Sequence, residues 1–471
     1  MALRPVRLLV MASVVAAGGL SVVAATAAGS VAASPAPASH SVAPTPFGAH
    51  PILSKMLPTP PTTALCLSEI GIHCYNPAQL TKAYDLAPLH NAGIDGRGKT
   101  IVIVDAFGSP TIASDLHTFD QVFGLPDTKL TIRQDAGKVP AFDPTNSDMA
   151  GWAFETTLDV EWSHVMAPGA NILLEETPVS ETEGVQGFPE IVKAENFVID
   201  HHLGDVISQS FGATEQTFPS KQSILNLRSA FQNAAKRNVT VLASSGDDGA
   251  TDAQFNGEDL FTMPVNSWPS ADPLVTSVGG TMLDLDANGN RLMPDVVWND
   301  GFGAGGGGKS TVFARPSFQN GVRNITGNHR GTPDISLSAA VDGAVITFES
   351  FDPDNTGFGL VGGTSEASPE FAGVVAMADQ VAHRDLGNIN NSLYLLGALH
   401  SKATGIVDVT QGNNTFGPFT NSDGTTHTVV GFNAGRGYDL ASGNGTVDAA
   451  KFVPALAFVG GHGNGGGPGR H

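Results

Sequence analysis

"GGTSEASPEFAG", Gly362 to Gly373, is the stretch that decides how this chain folds. Small residues crowd Ser365, and a helix-forming run follows it. Pro369 falls in the first turn of that run, where a missing N–H costs little. A serine placed in this way projects its hydroxyl from a helix N-terminus, with backbone N–H groups available to an anionic intermediate. A bare Gly-Thr-Ser is better read as a helix cap, since Ser and Thr are favoured there. The longer G-T-S-x-x-x-P-x-x-A-G arrangement points instead to a nucleophile.

A serine nucleophile needs a base, a group that orients the base, and a donor for the oxyanion. None of the 14 histidines opens a helix after the first strand in an H-G-T-H type sequence. His164 lies at the far end of the relevant helix, and His201 and His202 read as solvated. That helix does contain "FETTLDVEW", in which Glu155 and Asp159 are four residues apart and share a face. Two such carboxyls repel when both are charged, so one holds a proton and its pKa rises. The pair can then accept a serine proton in acid, where an imidazole is already protonated. A solvated acidic face is the usual alternative, but the apolar company of Trp152, Phe154, Leu158, Val160 and Trp162 argues for burial. In "ASSGDDGA", Asp247 sits in a tight turn after an apolar strand. A carboxyl there donates to an oxyanion only when protonated; beside glycine it is otherwise an ordinary turn residue.

Around these motifs, strands alternate with helices. "KTIVIVDAFG", "APGANILLEE", "DVISQSFG", "VTVLASSGDDG" and "PLVTSVGG" read as strands. Helices are expected near 153–165 and 224–237 and behind Ser365. The fold class is α/β, a largely parallel central sheet with helices on both faces, in a single large domain. "GAGGGGKST" (303–311) spells a phosphate loop, but Thr311, Val312 and Phe313 favour extended structure and Pro316 interrupts any helix behind it. No nucleotide is expected.

The chain has 471 residues, with 45 Asp plus Glu against 24 Lys plus Arg, a formal charge of −21. There is no basic footprint for nucleic acid. Arg4 and Arg7, an Ala/Val-rich apolar run and small residues read as an export signal over residues 1–28. The run is just long enough for an uncleaved anchor, but Ala, Gly, Ser and Thr dilute it and a Pro/Ala/Ser stretch follows, so the product is expected to be secreted, with no membrane association after signal cleavage. Residues 29–74 read as a linker or short pro-segment carrying Cys66 and Cys74, whose simplest fate outside the cell is one local disulfide. The main domain is placed at 75–458 and a Gly-rich flexible tail at 459–471.

Taken in order, "YNPAQLTKAYDL", "ETTLDVEWSHVMAPGA", "VISQSFG", "SSGDDG", "VGGTMLD", "GGGGKSTVFARPSFQ", "RGTPDISL", "GGTSEASP" and "GYDLASGNG" make the chain resemble the sedolisin family of serine-carboxyl peptidases. The resemblance implies a subtilisin-like fold, protein or peptide substrates and a monomer. It implies Ser365 as nucleophile, Glu155 as base, Asp159 as its orienter and Asp247 as oxyanion donor. Asp105, at the end of the first strand, becomes a supporting member. The family's calcium site maps onto Asp408, Val409, Gly435, Gly437 and Asp439, with the intervening stretch expanded. Fewer than about eighty residues precede the catalytic domain, where the family usually carries a long pro-domain. Another hydrolase or transferase on the same nucleophile, or an inactive binding protein on the same scaffold, is the competing expectation.

Overall fold

The computed structural model describes residues 50–399 and 402–460, all within one compact unit. The expected signal peptide, the first part of the expected linker and residues 461–471 of the expected tail lie outside these residues. The central sheet is built from β1 (Thr100–Ala106), β2 (Leu130–Arg133), β3 (Asn171–Thr177), β4 (Val206–Gln209), β5 (Thr240–Ser244), β6 (Thr276–Met282), β7 (Val296–Val297) and β8 (Ile335–Ser338). Its order is β7-β6-β5-β4-β1-β3-β2, with β8 also pairing β6. All pairs but β6–β7 are parallel.

The near-continuous apolar run of β1 is what a strand covered on both faces requires. Its side chains alternate between two cores: Ile101 and Ile103 enter one, Val102 and Val104 the other. On the first face lie α1 (Ile112–Phe123), α2 (Ser147–Met166), α5 (Thr364–Ala382) and α6 (Ala449–Gly460). On the second lie α3 (Phe188–Asp200) and α4 (Ser229–Arg237). Asn146 caps α2 by accepting from the backbone N–H groups of Asp148 and Met149. From Trp152 to Met166 every residue of α2 is buried, the signature of a helix enclosed on all sides.

A second, four-stranded sheet carries the hairpin of β9 (Ala344–Glu349) and β10 (Gly357–Gly362). His50–Pro51 pairs with β10 at one edge and Cys74–Tyr75 with β9 at the other. Cys66 and Cys74 form a disulfide and are fully buried. Order therefore begins well before the expected boundary near Tyr75. The Pro-rich run reads as a linker, yet proline is tolerated in and beside edge strands, and strands of two residues leave no period to read. β10 ends at Gly362 and α5 begins at Thr364, so this hairpin delivers Ser365.

Two hydrogen bonds tie the layers together. Trp162 Nε1 donates to the Ile346 carbonyl (3.1 Å), and the Phe348 N–H donates to Glu161 (3.1 Å). Both bonds bind α2 to β9. Among the described residues, no helix is long and apolar enough to cross a membrane.

Candidate active site

Ser365 stands in the first turn of α5 and is fully buried, as are Glu155 and Asp159 on α2. The Ser365 hydroxyl is within polar reach of the Glu155 carboxyl, a contact that favours the charged form of Glu155. The contact is loose, since neither Glu155 oxygen completes a bond of full hydrogen-bond geometry. Serine–base contacts commonly tighten only when substrate is bound. Behind Glu155, Asp159 Oδ1 accepts from the Ser210 hydroxyl (2.9 Å), which also lies 3.4 Å from the Ser365 carbonyl oxygen. Ser210 follows β4 in "SQSFG", the stretch expected to offer an edge to substrate. β4 itself runs in the middle of the sheet, and only residues 210–212 leave the ladder.

The electrostatics are those of buried acids with no cation acting on them among the described residues. Burial pushes Glu155 well above the ordinary carboxyl range; the Ser365 contact opposes this, and Asp105, Asp247 and Glu181 add to it. Burial likewise raises Asp159, helped by Asp105 and Glu155 and opposed by Ser210. Asp105 is pushed up to about 7, by burial first, with a Thr156 contact opposing and Glu176 adding. Three carboxyls from β1 and α2 thus share too few charges for all to ionise.

Asp247 sits just beyond β5, facing the N-terminus of α5. Its Oδ1 accepts from both the N–H (2.8 Å) and the hydroxyl (2.7 Å) of Thr364, the residue before Ser365. Its neighbour Asp248 is pushed up to about 8 by burial, with Asp252 and Asp247 adding.

The phosphate-loop look-alike lies under this turn. The Ala304 N–H donates to the Asp247 carbonyl (2.8 Å) and the Gly306 N–H to the Gly246 carbonyl (2.7 Å). A Cβ on Gly306 would lie 2.1 Å from the Ser245 carbonyl oxygen, and one on Gly307 2.3 Å from that of Leu440. These glycines are required by close chain approach, not by a phosphate. Gly308–Ala314 continues as a strand, so no helix N-terminus stands behind the loop. Lys309 is exposed, while the Ser310 hydroxyl is buried and donates to Glu215.

The expected calcium residues gather where Asp408 and Val409 meet the 435–439 loop. The Gly437 N–H donates to both oxygens of Asp408 (3.1 Å each), and the Gly435 N–H to Asp439 Oδ2 (2.8 Å). The 435–439 loop is therefore gripped by the two aspartates. Among the described residues no group of three or more His, Cys, Asp or Glu converges on a metal position. The expected set needs only two carboxylates, the remaining donors being the carbonyls of Val409, Gly435 and Gly437. An all-oxygen set of that kind suits calcium.

Sequence reasoning singled out Asp105, Glu155, Asp159, Asp247 and Ser365, and the fold gathers them. It missed Thr364 and the inward turn of Ser210. No local signal marks a hydroxyl that serves a carboxyl more than fifty residues away.

Comparison with known proteins agrees with this fold. The profile of the subtilase family (Peptidase_S8) matches residues 147–413. Kumamolisin of Bacillus sp. (strain MN-32) is 30% identical over 394 residues, which cover 81% of this chain and 63% of that protein. Tripeptidyl-peptidase sed4 of Aspergillus fumigatus is 31% identical over 287 residues, covering 53% of this chain and 43% of that protein. The chain thus spans less than two thirds of the length of these curated relatives. Among solved structures, Pseudomonas sedolisin, a serine-carboxyl proteinase complexed with two molecules of pseudo-iodotyrostatin, aligns with a TM-score of 0.69 and 26% identity. That alignment covers 83% of this chain and 99% of the other. With its parallel sheet, its buried carboxyls on α2 and its serine at the head of α5, the chain belongs to the subtilase family, in its sedolisin branch.

Proposed function

We propose that the protein is an exported serine-carboxyl endopeptidase, working in acid on protein or peptide substrates. The observation that carries this reading is the convergence on Ser365 of a buried carboxyl pair and of Asp247, with no histidine acting on either member of the pair among the described residues.

Ser365 Oγ attacks the scissile carbonyl carbon while Glu155 takes its proton. Asp159, held by Ser210, stabilises Glu155 in place. The tetrahedral oxyanion accepts hydrogen bonds from the Ser365 backbone N–H and from protonated Asp247. Since Oδ1 of Asp247 already accepts twice from Thr364, its proton belongs on Oδ2. Collapse breaks the C–N bond, and Glu155 returns the proton to the leaving amine. Water then attacks the acyl-enzyme, Glu155 again accepting and returning a proton, and Ser365 is regenerated.

Asp408 and Asp439, with the carbonyls of Val409, Gly435 and Gly437, would hold one calcium ion. It would supply a fixed positive charge between two chain segments and take no part in the chemistry. The buried Cys66–Cys74 disulfide supports an oxidising compartment.

The test is incubation of the purified protein with an unfolded protein from pH 3 to 7, beside a Ser365→Ala variant. Cleavage is expected to peak in acid and to fall by at least about 10³-fold in the variant. No cleavage at any pH by folded, calcium-loaded protein would leave the inactive binding protein as the reading. Product lengths separate internal cleavage from release of tripeptides, the activity named in the relative sed4.

A further inference from the structure

Glu366 and Glu370 follow Ser365 on α5 by one and five residues. Four apart, they share a helix face, and neither is exposed at all. None of their four carboxyl oxygens completes a hydrogen bond within the described residues, although the Ser338 hydroxyl of β8 comes within polar range of Glu366.

Asp247, beyond β5, faces Glu366. Tyr84, closing the Pro77–Ala83 helix, faces Glu370, and its hydroxyl accepts from the Ser338 N–H (2.6 Å). The Arg291 guanidinium lies 5.4 Å from the Tyr84 ring and is engaged by Asp295 at 2.6 Å. Glu155 and Asp159 of α2 approach on the Ser365 side, with Asp105 of β1 behind them. β4, β6, β8 and β10 present no ionisable side chain. α6 meets α5 through apolar contacts such as Phe371–Phe452, with ring centroids 6.0 Å apart. Among the described residues no Lys, Arg or His acts on either glutamate.

A carboxyl in water charges above about pH 4.3. Here a charge would lie in the interior without a partner, beside another acid. The head of a helix favours a negative charge, but only weakly against the loss of all hydration. Burial accordingly raises both glutamates well above the ordinary range. The first two turns of α5, which bear them, also bear Ser365 and Thr364, and Thr364 holds Asp247.

We propose that Glu366 and Glu370 are positioning residues, an uncharged buried pair that keeps the first turns of α5 in place and, on ionising, releases Ser365 and Asp247, so that it sets the alkaline limit of activity apart from Glu155 and Asp159. This rests on the peptidase reading.

The test compares full-length wild type with Glu366→Gln, Glu370→Gln and the double variant, Gln being the neutral isostere. kcat and KM are read separately from pH 3 to 8, along with the heat-unfolding midpoint. In the double variant the acid limb and KM are expected to stay and the alkaline limb of kcat to move up by about one pH unit or more, a tenfold gain in activity on that limb. Its midpoint is expected to fall less between pH 5 and 8. Should the double variant not fold, Glu370→Met is read in the same way. A folded variant whose alkaline limb matches wild type overturns the proposal. If wild type cleaves nothing at any pH, the peptidase reading fails by itself, and the pH slope of the midpoint decides about the pair: a slope equal to wild type rejects it.

Discussion

Thr364 holds Asp247 by two donors at once: its N–H at 2.8 Å and its hydroxyl at 2.7 Å both reach Oδ1. The residue before Ser365, the proposed nucleophile, therefore orients the carboxyl proposed as oxyanion donor. Thr364→Val keeps the shape and the N–H but removes one donor, a change of about 1–1.5 kcal/mol. Turnover should fall about tenfold with KM unchanged. Asp247→Ala, which removes the proposed oxyanion donor itself, should cost about 10²–10³. Steady-state kinetics at the acid optimum check both; full kcat in Thr364→Val would show that Asp247 is held by other means.

Stability should decline as pH rises. Asp105 is pushed up to about 7 and Glu181 to about 8, burial being the main cause in both. A carboxyl whose folded pKa lies above its unfolded value contributes fully below about pH 4, and its contribution is lost as pH climbs through the folded value. The window runs from about pH 4 to 8. The unfolding midpoint of Ser365→Ala, used to prevent self-cleavage, should drop by on the order of 10 °C across it. A flat or rising midpoint would mean that these acids find charge partners on folding.

The glycine loop gives a contrast between two like substitutions. Gly306→Ala puts a Cβ 2.1 Å from the Ser245 carbonyl oxygen, a backbone atom that cannot step aside. It should cost about 1–3 kcal/mol or more and reduce activity by disturbing the Asp247 turn. Gly321→Ala, where nothing lies within 4 Å, should stay within about 0.5 kcal/mol. Exposed Lys309→Ala should change neither stability nor activity. Denaturant midpoints decide; equal effects at 306 and 321 would contradict the close-approach account.

Calcium removal should loosen the C-terminal end of the domain. At about one hundred times its Kd, a bound ion stabilises the folded state by about 2.7 kcal/mol. Chelator should lower the midpoint of Ser365→Ala, and added calcium should restore it while magnesium does not. With Asp408→Ala or Asp439→Ala, chelator should have no further effect. A midpoint indifferent to chelator in the parent protein would argue against an ion there.

Much of the fold was legible because it rests on local regularities. The run Ile101–Val104 can only be a strand covered on both faces, and its neighbours repeat that pattern between helices. Glu155 and Asp159 declare a shared helix face by their spacing, and the Gly-Thr-Ser run with Pro369 declares a serine at a helix start. These are properties of periods of two and 3.6 residues, which the chain carries wherever it folds.

Burial and distant partnership are not such properties. The spacing of Glu366 and Glu370 equals that of Glu155 and Asp159, and only the packing of β8, Tyr84 and Asp247 around them makes that second pair interior as well. Ser210, Thr364 and Gly306 take their importance from atoms 51, 117 and 61 residues away in the chain. His50 and Pro51 join β10 through backbone hydrogen bonds, to which the side-chain pattern is blind. Sequence spacing determined which groups share a face. Tertiary packing decided which of those faces lost their water, and with it which carboxyls keep their protons.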